Sequence, residues 1–227
     1  MKTIVVVGNP KPKSRTMDAA EKLSWSLGYD VTGFVDVIDL GAGLLAWGDP
    51  GVRAAVELVA DADLAIFASP TFKATYSGVL KLFLDQFAGS TGLEGVVAIP
   101  LMLGAGPGHA LTAELTLKPV LVELGAICPT PAVYQLDSTY LADPALPSWV
   151  SKWSGTITSM LTNKPGRQRR HVPGMLKRFA SHGREIRVRP RGNYFSKAST
   201  CSANKSGREM NGWCPVGSST DRVARAA

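Results

Sequence analysis

Three short stretches combine residue types that do chemistry together. Residues 8–16, Gly8-Asn9-Pro10-Lys11-Pro12-Lys13-Ser14-Arg15-Thr16, carry two hydroxyls and a guanidinium. With the leading N–H groups of a following helix, that set suits a terminal phosphate dianion; Ser14 also fits the plainer role of a helix cap. Residues 69–77, Ser69-Pro70-Thr71-Phe72-Lys73-Ala74-Thr75-Tyr76-Ser77, are small and hydroxyl-rich, with two aromatic rings alongside. Pro70 stiffens this stretch and removes one donor, and the remaining N–H and C=O groups can meet a flat heteroaromatic ring. Gly104-Ala105-Gly106-Pro107-Gly108-His109 is a second, glycine-rich loop.

These stretches need elements to hold them. Residues 3–8 are a continuous β-branched run, as in a parallel strand buried on both faces. A helix is predicted over 17–27, with Ala19, Ala20, Leu23 and Leu27 inward and Gly28 as its stop. A second strand is predicted over 31–39, an apolar loop over 41–47, and a helix over 51–60 entered by Asp49 and Pro50. The third strand is 64–68. After it, Val79, Leu80, Phe83, Leu84 and Phe87 share one face of a helix ending near Gly89. Residues 96–103 give a fourth strand and 110–124 a helix that Pro119 can kink. Residues 126–134 give a short fifth strand whose prolines place it at an edge, and 147–161 a last helix. This alternation predicts an α/β fold: a five-stranded, parallel, doubly wound sheet of the flavodoxin-like type. Ligands in such sheets sit at the carboxyl ends of the strands, and all three stretches lie there.

The net charge of +7 over 227 residues conceals two different polymers. Residues 1–164 hold 11 basic and 15 acidic side chains, a net of −4; residues 165–227 hold 14 and 3, a net of +11. The basic character therefore belongs to the tail. That tail lacks apolar periodicity and is rich in Ser, Gly and Arg, so it is predicted to be disordered, ahead of contact with nucleic acid or a second module. His171 and His182, with Cys201 and Cys214, lack zinc-finger spacing, and no metal site is predicted. No run reaches the roughly 18 apolar residues of a membrane span. Three cysteines make no disulfide framework, so a cytoplasmic setting is expected. A nucleotide-triphosphate loop is disfavoured because no Gly-Lys-Ser/Thr follows the first strand, and the G-x-G-x-x-G dinucleotide pattern is also absent.

Taken together, the three stretches resemble the NADPH-dependent FMN reductase family, in particular the flavin reductases that serve two-component alkanesulfonate monooxygenases. The residues that carry the resemblance are Gly8 with Ser14-Arg15-Thr16, the run from Pro70 to Lys81, and Pro100-Leu101, Gly104-Ala105 and His109 followed by Leu117-Lys118-Pro119-Val120-Leu121. It covers roughly residues 1–160. It implies that Ser14, Arg15 and Thr16 hold the FMN phosphate. Pro70, Thr71, Phe72 and Lys73 would line the ribityl chain and the isoalloxazine edge, and Gly104 and Ala105 would approach the ring from the other side. It further implies hydride transfer from NADPH or NADH to flavin N5, with no side-chain acid or base required, so no catalytic residue is assigned. Reduced FMN would pass to a partner monooxygenase, and the enzyme would be a homodimer or homotetramer. Residues 1–164 would be the FMN-binding reductase domain. The chain departs from some sulfonate-linked relatives at Leu115, where they carry a Tyr in an inserted helical turn. That places it nearer relatives that keep FMN as a prosthetic group, or leaves prosthetic group and substrate as open alternatives.

A flavodoxin-type electron carrier and a quinone or azo reductase are the alternatives on the same fold; carriers are usually strongly acidic, and this body is only −4. His109 reads first as a polar helix-start residue and second as a nicotinamide contact. Lys73 is evenly balanced between a charge facing the flavin and a solvated loop lysine. Asp85 reads as an exposed helix carboxylate, Trp25, Trp47, Trp149 and Trp153 as packing residues, and Cys128 as a buried, inert thiol.

Overall fold

The structure, a computed structural model, describes residues 1–163. The readings of the basic tail, with His171, His182, Cys201 and Cys214, lie outside the described residues. Five strands, β1 (Thr3–Val7), β2 (Gly33–Asp36), β3 (Leu64–Pro70), β4 (Val97–Gly104) and β5 (Val133–Leu136), form one sheet in the order β2-β1-β3-β4-β5. Every pairing is parallel, as the strand–helix alternation predicts.

Alternate residues of the strands feed two cores. Ile4, Val6, Val35, Ala65, Phe67, Ala98 and Met102 face the helices α2 (Pro50–Ala60), α3 (Gly78–Leu84) and α4 (Lys118–Glu123). Val5, Val7, Leu64, Ile66, Ala68, Ile99, Leu101 and Val133 face α1 (Arg15–Ser26) and α5 (Ala145–Thr162). That period of two, with both faces covered, is why the central strands read as unbroken apolar runs. Asp49 caps α2 as expected, accepting from the N–H groups of Gly51 and Val52 at 2.9 and 3.0 Å.

The elements differ from the sequence reading in four places. The second strand stops at Asp36, where its partner β1 stops at Val7; Val37–Leu45 then follow as 3-10 turns broken by Gly41 at φ 55°. Val37 still buries itself, from a turn instead of a strand, and Leu40 and Leu44 are buried in the turns beside it. The helix after the central loop ends at Leu84, with Phe87 in a turn and edge-on to Phe83. The predicted helix over 110–124 is a π-helical turn, Ala113–Leu117, running into α4; the Lys118 N–H reaches back to the Ala113 carbonyl, and Pro119 begins the tighter segment that follows. The fifth strand begins at Val133. Before it only Ile127 bridges to Val97, because Pro129 and Pro131 have no N–H to donate. That gap also accommodates Pro100 within β4. The Ala98 N–H points to the Ile127 side, so the position two residues on faces the stretch where no partner strand runs.

Trp149 and Trp153 pack on the α1/α5 core. Trp25 and Trp47 do not fill the packing role read for them: Trp25 is about half exposed and Trp47 is 78% exposed on the loop after the 3-10 turns. Cys128 is half-buried, and burial pushes its thiol up to about 11, an unreactive setting. Among the described residues no helix is long and apolar enough to cross a membrane.

Candidate functional site

The loops leaving β1, β3 and β4 emerge side by side along the carboxyl edge, because Val7 pairs with Ala68, and Pro70 with Leu103, in register. Direct bonds stitch them together. The Gly8 N–H donates to the Ala68 carbonyl at 2.8 Å, the Thr71 N–H to Leu103 at 2.7 Å, and the Asp137 N–H to Gly104 at 2.9 Å. Ser77 is the central tie. Its hydroxyl donates to the Gly8 carbonyl and accepts from the Leu80 N–H, capping α3, while its own N–H donates to Ser69 Oγ at 2.9 Å. Gly8 must be small here, since a Cβ would lie 2.3 Å from that of Leu80.

Along the first loop, Asn9 folds the chain back on itself. Its amide donates to Thr16 Oγ1 at 3.0 Å and its carbonyl oxygen accepts from the Lys11 N–H at 2.9 Å. Ser14 occupies the N-cap of α1 with extended backbone but makes no side-chain cap bond. It is only 6% exposed, and its hydroxyl has no partner. Beside it the first turn of α1 presents N–H groups without intrahelical acceptors. Arg15 reaches across the edge to the residue just past β5: Nη1 donates to the Asp137 carbonyl at 3.0 Å, and Nη2 lies 3.2 Å from its carboxylate. Asp36, at the end of β2, flanks the loop and accepts from the Lys13 N–H at 3.4 Å. Burial, then repulsion from Asp39, raises its carboxyl to about 6 against the pull of the Lys13 and Ile38 N–H groups.

The second loop is a tight hairpin. Phe72 and Thr75 exchange backbone bonds of 2.8 and 3.2 Å around Lys73 and Ala74, both left-handed at φ 51° and 62°. Phe72 and Lys73 are exposed, Thr71 and Tyr76 half-buried. Burial raises the Tyr76 phenol above its ordinary pKa, with Lys81 opposing and Asp85 assisting. Asp85 pairs with Lys81 one helical turn away, the surface role expected of it.

At the third loop Gly104 is buried and Ala105 exposed; His109 ends a single exposed turn, Pro107–His109. Tyr134, from β5, lies over this loop. Its hydroxyl donates to the Gly106 carbonyl at 2.6 Å, close to Thr71 Oγ1, which itself makes no hydrogen bond of good geometry.

The three predicted stretches are thus contiguous, and Ser14, Arg15, Thr16, Pro70, Thr71, Phe72, Lys73, Gly104 and Ala105 all lie on the edge they share. The sequence reading included Asn9 and Ser77 in its stretches without giving either a role, and it omitted Tyr134 and Asp137. Ser77 carries a usable signal, a Ser immediately before an apolar helix; Tyr134 and Asp137 carry none, since only strand pairing brings them here.

A family model described as NADPH-dependent FMN reductase matches residues 1–140. The chain is 35% identical over 134 residues to FMN reductase (NADPH) of Escherichia coli strain K12, a match covering 56% of this chain and 68% of that protein. It is 31% identical over 132 residues to FMN reductase (NADPH) of Pseudomonas putida, covering 56% and 66%. Among solved structures, an apo NADH:FMN oxidoreductase superposes with a TM-score of 0.62 at 27% identity, covering 76% of this chain and 95% of that one.

Proposed function

Because this chain belongs to the NADPH-dependent FMN reductase family, we propose that its carboxyl edge binds FMN with the phosphate at Ser14, Arg15 and Thr16 and reduces it at the expense of NADPH. The observation that carries this placement is the Ser14 hydroxyl, buried at a helix N-terminus with nothing to bond. A buried hydroxyl left unpaired is costly, and a phosphate oxygen there would satisfy it together with the leading N–H groups of α1. The donor set fits: Arg15 spends two of its five N–H groups on Asp137 and keeps the others. Thr16 accepts from Asn9 and keeps its own proton to donate.

When bound, FMN would supply the hydride-accepting chemistry, with NADPH as donor. The chain's residues orient it. Pro70, Thr71, Phe72 and Lys73 offer backbone groups and the Phe72 ring to one edge of the flavin. Ala105 would offer backbone approach on the other side, from a turn that Gly104 starts beneath the Tyr134 phenol. No side-chain acid or base is assigned.

On the same reading the enzyme is a homodimer or homotetramer that delivers reduced FMN to a partner monooxygenase. The oligomer is supported by exposed Leu111, Leu115 and Val122 on one side of the π turn and α4. Sedimentation of the full chain tests it.

The test of function is an absorbance scan of the purified full chain, followed by NADPH titration with and without added FMN. A flavin spectrum on purification makes FMN prosthetic. FMN-dependent NADPH loss from a colourless protein makes it a substrate. A folded protein with neither property overturns the proposal.

A further inference from the structure

Tyr134 reaches two of the three loops, lying over residues 104–106 and close to Thr71. In the β4–β5 register it pairs with Met102, two residues before the last pair, Gly104 with Leu136, and its side chain lies over Gly104. Its hydroxyl donates to the Gly106 carbonyl at 2.6 Å. Among the described residues this is the one side-chain hydrogen bond reaching residues 105–109, whose other tie is the backbone bond from Ala110 to Pro107. The same phenol determines what residue 104 can be. A Cβ there would lie 2.0 Å from the hydroxyl oxygen and 2.8 Å from the ring carbon bearing it, whereas Gly106 and Gly108 have open space at their Cβ positions. The glycine at 104 is therefore demanded by Tyr134, and those at 106 and 108 are not demanded by packing at all.

We infer that Tyr134 is a positioning residue for the ring side of the flavin site: it pins the turn at residues 104–106 to β5, with Gly104 as its obligatory counterpart. The inference rests on the FMN placement proposed above and adds a residue to it. Burial first, and the nearby Asp137 carboxylate second, hold the phenol above its ordinary pKa, so the proton it donates to Gly106 is retained throughout the neutral range. Without that bond the Gly106 peptide is free to turn, because neither glycine of the turn has a side chain to restrain it, and the ring loses a preformed wall.

The test uses the full chain and Y134F, which removes the hydroxyl and keeps the ring. Binding is read by quenching of flavin fluorescence, for FMN and for riboflavin. A lost neutral hydrogen bond corresponds to roughly three- to tenfold weaker binding. Because Tyr134 acts on the ring side, both ligands weaken by the same factor, while the melting temperature stays close to wild type. Amide exchange across residues 104–109 in the unliganded protein speeds up. G104A gives at least the same loss, and combining it with Y134V adds nothing beyond Y134V alone, since both act through one contact. Unchanged flavin affinity in Y134F, or additive losses in the double variant, overturns the role of Tyr134 and leaves the FMN placement standing. A wild-type chain that quenches neither flavin overturns both.

Discussion

Arg15 and Asp137, at opposite ends of the site edge, are joined twice, through the Asp137 carbonyl and through its carboxylate. The pair spans the openings of the β3 and β4 loops and ties the start of α1 to the chain leaving β5. Its side chains are 62% and 34% exposed, so as a stabilising contact it contributes less than about 1 kcal/mol. Its importance lies in aiming the guanidinium. Arg15→Ala should leave the unliganded melting temperature nearly unchanged and weaken FMN binding about tenfold or more, the scale of a lost charge-assisted bond. Riboflavin, lacking the phosphate, should hardly respond. Equal losses for the two flavins would place the phosphate elsewhere.

Ser14→Ala separates the unliganded protein from the liganded one. The hydroxyl caps nothing and has no partner, so its removal relieves an unsatisfied group that costs about 1–3 kcal/mol in comparable settings. The unliganded variant should melt at the wild-type temperature or slightly above. The additional stabilisation by saturating FMN should shrink, because the bond to the phosphate is gone. Melting curves with and without FMN check both halves. A variant destabilised without ligand would mean that Ser14 serves the fold.

The winding of the sheet was legible because β1, β3 and β4 are buried on both faces and spell out long apolar runs. The phosphate stretch was legible because hydroxyls and a guanidinium between a strand and a helix are a local signal. What escaped is non-local. Tyr134 meets Gly106 across 28 residues of chain, and nothing near either residue announces the other. The end of β2 was misplaced because Val37 is as buried in a turn as it would be in a strand, and hydropathy cannot tell the two apart. Trp47 was misjudged for the complementary reason, since an aromatic ring signals burial on average and this one projects from a loop.

The hairpin tip stores strain that a single methyl group creates. Lys73 and Ala74 both sit at left-handed φ, where a Cβ crowds the following carbonyl at a cost of about 1–2 kcal/mol per residue. Ala74→Gly removes one such contact and gives back part of the gain as chain entropy. The net should be a stabilisation of about 0.5–1 kcal/mol, seen as a higher urea midpoint with unchanged slope. If the strain shapes the loop for flavin, FMN affinity should fall in the same variant. A less stable Ala74→Gly protein would show that no strain is held there.

Asp36 should make stability depend on pH in a direction opposite to that of an ordinary salt-bridged carboxylate. One of its oxygens is buried without a partner, and burial with Asp39 nearby raises its pKa from 3.8 to about 6. Between those values the folded protein holds a proton that the unfolded chain releases. By linkage, stability from this group is complete below 3.8, declines as pH rises through the window, and is constant above it. Asp36→Asn has no charge to bury, so it should match wild type near pH 4 and exceed it at neutral pH. Allowing for solvent reaching the site, the difference should be on the order of 1 kcal/mol. Urea midpoints of both proteins across that range give the answer: a gap that opens as pH rises supports a buried, reluctantly ionised Asp36, and a gap independent of pH assigns the effect of the substitution to packing.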